Sequence, residues 1–166
     1  MGMSAPVFAF DYWVNAPGTL SSPPDSVVTG LTNASYNGLS VPCTASFTVR
    51  DSSGSGSVVA ASFSGSSACT AIVACNLPWA IGKPLAASGV ANNTQITGVC
   101  VKIPAPINQT CTGSNALATG IVKGTLTNPT PNTFTFSGSL AASPSNGVCT
   151  VNSRANLTPS PALGIQ

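Results

Sequence analysis

"VPCTASFTVR", residues 41–50, alternates without a break. Val41, Cys43, Ala45, Phe47 and Val49 fall on one side, and Pro42, Thr44, Ser46, Thr48 and Arg50 on the other. Successive side chains of a strand point to opposite faces, so this stretch is a strand with one face in a core. The reading extends along the chain. A Gly/Ser turn, "DSSGSG" (51–56), follows, and "SVVAASFS" (57–64) returns with Val59, Ala61 and Phe63 on one face. "ACTAIVACNL" (68–77) is apolar on both faces and reads as a central strand. "TQITGVCVKI" (94–103) reads as one strand with Val99, Val101 and Ile103 together.

"TGIVKGTLT" (119–127) and "TFTFSGSL" (133–140) flank the turn "NPTPN" and make a hairpin, with Phe134, Phe136 and Leu140 sharing a face. "GVCTVNSRANL" (147–157) reads as the last strand. Apolar residues never recur with a 3.6-residue period, and Gly, Ser, Thr and Pro interrupt every helical window. The expected fold is all-β: a disulfide-linked β-sandwich or small β-barrel of about eight to ten strands, preceded by an N-terminal extension strand. The expected division is an N-terminal strand and linker over 1–25 and one domain over 26–166.

The composition narrows the function. Only 5% of the 166 residues are charged, against about 25% in an average soluble protein. Ser and Thr make up about a quarter of the chain, and there is no His and no Glu. The apolar fraction is 43% and the net charge +2, the reverse of a disordered composition. The few Lys and Arg are scattered, which argues against nucleic acid. A surface of hydroxyls repels its own copies weakly and so favours association.

The six cysteines are Cys43, Cys69, Cys75, Cys100, Cys111 and Cys149. Their spacing matches no zinc pattern and there is no His to share a metal, so disulfides in an oxidising compartment are expected. Fifteen connectivities are open. Pairing of the two strands around "DSSGSG" would bring Cys43 and Cys69 together, which favours that bridge. "MGMSAPVFAF" has no basic segment ahead of a long apolar one, so the sequence is read as a mature or recombinant form of an exported protein.

Side-chain catalysis needs a group that transfers protons near neutral pH. With no His, and with Asp11, Asp25 and Asp51 in three separate segments, no triad, dyad or carboxylate pair is marked, and there is no phosphate-binding glycine motif. The chain is read as non-enzymatic, with no cofactor and no metal. Trp79 reads as a core anchor beside Leu77 and Pro78, with a ligand contact as the other reading.

"FAFDYWVN" (8–15) holds four of the ten aromatic residues. Phe8, Phe10, Tyr12 and Val14 take one face of a strand, and Ala9, Asp11 and Trp13 the other. Pro17, Gly18, Pro23 and Pro24 follow in an extended tether. The strand either packs on its own domain or completes a neighbouring copy. Donor-strand exchange of the second kind, repeated head to tail, builds an open filament. Phe8, Phe10, Tyr12, Trp13 and Val14 are the expected assembly residues.

"GLSVPCTASFTV" (38–49), "ASFSGSSACTAI" (61–72) and "NLPWAI" (76–81) form a pattern that resembles small secreted bacterial proteins of the PraB type, described as activators of alkane oxidation. The resemblance implies an exported, non-enzymatic β protein connected with hydrophobic substrates or the cell surface. It implies no catalytic residue. The leading expectation is an extracellular, self-assembling fibre or biofilm-matrix subunit whose partners are copies of itself, with no nucleic acid and no membrane span. The alternative is a secreted factor that binds or disperses alkanes or other apolar molecules, which requires an apolar cavity or patch.

Overall fold

The computed structural model describes residues 13–15, 25–52, 55–82, 92–127 and 132–165. In chain order the elements are β1 (Trp13–Asn15), β2 (Ser26–Tyr36), β3 (Leu39–Ser52), β4 (Ser55–Ser64), α1 (Ser67–Thr70), β5 (Val73–Ala74), β6 (Trp79–Ile81) and β7 (Asn92–Thr97). They continue with β8 (Cys100–Ile103), β9 (Gln109–Thr112), β10 (Ile121–Thr127), β11 (Thr133–Ser143), β12 (Val148–Ser153), β13 (Thr158–Ser160) and β14 (Leu163–Ile165).

Eight strands close a barrel in the order β10-β7-β6-β4-β3-β2-β12-β11, and β11 returns to β10. Every pairing is antiparallel. Closure removes the open edges that a sandwich of the same strands would leave, so the barrel is the form the all-β expectation takes. The alternation read in residues 41–50 points Val41, Cys43, Ala45 and Val49 into the barrel, all buried, with Phe47 half-buried beside them. The expected β10–β11 hairpin is present, and its register sets Leu126 opposite Phe134 and Gly124 opposite Phe136. Leu126, Leu140 and Leu157 lose all exposure, each burial stabilising by about 1.5–3 kcal/mol. Phe47 is the hub of an aromatic cluster, edge-on to Phe63 at 6.1 Å and to Phe136 at 5.7 Å, geometries favoured by the ring quadrupoles.

Several sequence expectations need correction. Residues 68–77 do not form a central strand. Ser66 accepts a hydrogen bond from the Cys69 amide at 3.2 Å and caps the short helix α1, and only Val73–Ala74 pairs, at the edge of β8. The segment belongs to the cap: Cys69 and Ile72 turn inward and are buried, while Ala71 and Val73 are exposed. Residues 94–103 break in two at Gly98, whose φ of +75° a strand cannot hold. The returning arm after the Gly/Ser turn buries Val58, not Val59, because the register slips between Thr48 and Val49 and leaves Val59 as the extra residue of a bulge. The last expected strand ends at Ser153. Arg154, Ala155 and Asn156 bulge outward, and Leu157 then re-enters to bridge Phe134.

One end of the barrel, here called the upper end, is covered by α1, β5, β8 and β9. Strand β9 extends the sheet from the end of β11, with Ala142 opposite Cys111. All six cysteines are paired: Cys43–Cys69, Cys75–Cys100 and Cys111–Cys149, with S–S distances of 2.10, 1.97 and 2.02 Å. The expected Cys43–Cys69 bridge is present and ties β3 to α1. Cys111–Cys149 ties β9 to β12, and Cys75–Cys100 closes the cap on itself. All three lie at the upper end.

Candidate functional site

Two features at and below the cap are candidates for function. The first is the lower mouth. Here β14 forms a two-stranded sheet with β1, separate from the barrel sheet, with Trp13 opposite Ile165, Val14 opposite Gly164 and Asn15 opposite Leu163. Leu163 is buried at 3% exposure. Its backbone is held by the Asn132 side chain, which accepts from the Leu163 amide at 3.0 Å and donates to its carbonyl at 2.5 Å. Ser26, fully buried, donates to the Pro161 carbonyl and fastens the same segment to the start of β2. Of the expected assembly residues, Trp13 and Val14 lie in β1, while Phe8, Phe10 and Tyr12 lie outside the described residues. Strand β1 runs toward the mouth as residue number rises, since Asn15 meets Leu163 and Trp13 meets Ile165.

The second feature is the barrel interior, which holds an apolar cavity of about 80 Å³. Ile72, Val99, Val101 and Ile103 close it from the cap, and Leu163 and Phe134 reach it at the lower end. Trp79, 3% exposed, stands in its wall and donates its indole N–H to the Cys75 carbonyl at 2.8 Å. Thr32 is a polar member of the lining, and its hydroxyl is already engaged by the Cys43 carbonyl at 3.2 Å.

Ionisable chemistry is sparse. Arg50 grips Asp25 with two hydrogen bonds, Nε to Oδ1 at 2.9 Å and Nη2 to Oδ2 at 2.8 Å. The guanidinium holds the Asp25 carboxyl below its usual range, and the carboxylate raises the Arg50 pKa in return. The pair sits on the surface where β2 begins and β3 ends. Among the described residues no group of three or more His, Cys, Asp or Glu could hold a metal, and no helix is long and apolar enough to cross a membrane. No sequence signal pointed to the Leu163–Asn132 clamp. Its residues lie 31 apart in the chain and neither belongs to a recognisable motif.

Comparison with known proteins gives one match. The family model described as "Alkane oxidation protein activator PraA/PraB-like" covers residues 4–166. No curated protein and no solved structure matches the chain.

Proposed function

We propose, from the premise that this chain belongs to the PraA/PraB-like family of alkane oxidation activators, that it is an extracellular structural subunit. In this reading copies join end to end through the N-terminal strand. The observation that carries it is the β1–β14 pair. Strand β1 pairs with β14 in a two-stranded sheet that is not hydrogen-bonded into the barrel wall, and it also lies against β3. A strand paired in this way can be exchanged for the same strand of a neighbour without opening the barrel, and an exchange that is not mutual propagates as a filament. The sequence before β1 carries the aromatic residues Phe8, Phe10 and Tyr12 at alternate positions.

Surface chemistry supports the same reading. Outward positions along the wall are Gln95, Lys123, Ser137 and Asn152 in one row, and Ser35, Thr150 and Ser139 in another. Ser35 and Thr150 hydrogen-bond to each other across strands. One cation in these two rows gives little like-charge repulsion between copies. Three disulfides suit a protein that works outside the reducing interior of a cell.

Negative-stain electron microscopy of the full chain beside a chain lacking residues 1–15 tests the proposal. Filaments that form from the first and not from the second support it. Discrete particles of one copy from the full chain, at high concentration under oxidising conditions, overturn it.

A further inference from the structure

We infer that the barrel interior is a binding site for a small hydrocarbon. The inference does not depend on the filament reading, because it rests on the cavity alone. The cavity measures about 80 Å³, while one water needs about 10–15 Å³ of such space and two to four polar partners. There is room for several waters and almost nothing to hold them. Thr32 has its hydroxyl on the Cys43 carbonyl, and the Trp79 N–H is committed to the Cys75 carbonyl. Asn33, half-buried, is the other polar residue at the lining, and the rest of the wall is apolar, with side chains such as Val28, Ile96, Val151 and Phe136. An apolar void of this kind excludes water and accepts an apolar guest, because the guest regains the dispersion contacts that the lining lacks.

The surrounding structure keeps the space open. Cys43 lines the cavity and is bonded to Cys69 in the cap, so the β3 wall cannot slide inward independently of α1. Leu163 is clamped at the other end by Asn132. Collapse of the void would have to move both anchored ends. Size and polarity define the ligand class: a compact, uncharged hydrocarbon without hydrogen-bonding groups. No charged group lines the cavity to anchor a carboxylate, so a fatty acid is disfavoured against the alkane of the same length.

The test is methyl-resolved NMR of the full oxidised chain with xenon under pressure and, separately, with n-pentane. The expected result is a saturable shift of the Ile72, Ile96 and Val151 methyl signals, with no change at Val73 and Leu117, which are 54% and 73% exposed. Pentane at tenfold excess over its Kd should also raise Tm by about 3–6 °C. A second arm uses Val101→Phe and, separately, Val58→Phe, each filling the void from a different side. In whichever variant keeps a native spectrum, the xenon shifts should fall at least tenfold. Unchanged lining methyls at saturating xenon overturn the inference. So do shifts at Val73 and Leu117 alone, which indicate partition onto the surface.

Discussion

The indole N–H of Trp79 donates to the carbonyl of Cys75 at 2.8 Å, and Cys75 is itself bonded to Cys100 in β8. A barrel strand is thereby joined to the cap through one hydrogen bond and one disulfide. Replacing Trp79 with Phe removes the donor and leaves a partly buried carbonyl unpaired, at a cost of about 1–3 kcal/mol. Trp79→Ala adds a cavity and should cost about 3–5 kcal/mol. Urea unfolding of both variants under oxidising conditions measures the two values, and Trp79→Phe as costly as Trp79→Ala would contradict the division.

The Cys43–Cys69 bridge closes a loop with a sequence separation of 26. Chain-entropy reasoning for that length gives about 3.5 kcal/mol of stabilisation. The double variant Cys43→Ala, Cys69→Ala should lose about that much in denaturant titration, and its barrel should remain closed, because β3 keeps its ladders to β2 and β4. Loss of the native circular-dichroism signal at low denaturant would show that the barrel needs the covalent tie.

Gly138 faces Val122 across the β10–β11 ladder. A Cβ placed there would stand 2.6 Å from the Ile121 carbonyl oxygen and 2.7 Å from the Val122 Cα, both backbone atoms that cannot swing away. Gly138→Ala should therefore destabilise by about 1–3 kcal/mol. Ser137→Ala, one residue earlier and facing solvent, should stay within about 0.5 kcal/mol. Thermal unfolding of the two variants side by side checks the contrast.

The Asp25–Arg50 pair gives a pH signature with a definite sign. The Asp25 carboxyl has a depressed pKa in the folded chain, mainly through its hydrogen bond with Arg50. Its contribution is complete above the unfolded value of about 3.9 and fades as pH falls through the lower folded value. Both side chains are well exposed, so the effect is small and screened by salt. The Tm difference between wild type and Asp25→Asn should be present at pH 7, shrink below about pH 4, and shrink also in 1 M salt. A difference that grows on acidification would reverse the assignment.

Parts of this architecture were open to reading from the chain, for identifiable reasons. Strand β3 and the β10–β11 hairpin announce themselves because only one face of each enters the core, so burial and alternation coincide. The Cys43–Cys69 bridge follows from the pairing of adjacent strands. Strand β2 gave no such signal. Its inward set is Ser26, Val28, Gly30, Thr32 and Ala34, small or polar because the wall is crowded there: a Cβ on Gly30 would lie 2.8 Å from the Leu157 Cγ. Within the cap only the shared face of Val99, Val101 and Ile103 was legible; its arrangement was not, because its partners are distant in sequence and its strands have two to four residues. The cavity is a volume mismatch summed around a ring, and no local pattern records it. Of the aromatic N-terminal segment, the described part is Trp13–Asn15, whose pairing with Leu163–Ile165 no local motif foretold.

The placing of the three disulfides has a mechanical consequence. Their loops follow one another along the chain, 43–69, 75–100 and 111–149, with none nested in another. Pulled from its two ends, the chain can lengthen only through the residues outside those loops, because force crosses each loop at its sulfurs. More than half of the 166 residues are thus hidden from tension. A free chain extends by at most about 3.3–3.6 Å per residue, so this one has less than half the reach its length implies. A load entering at β1 and β14 meets hydrogen bonds first and a short leash behind them.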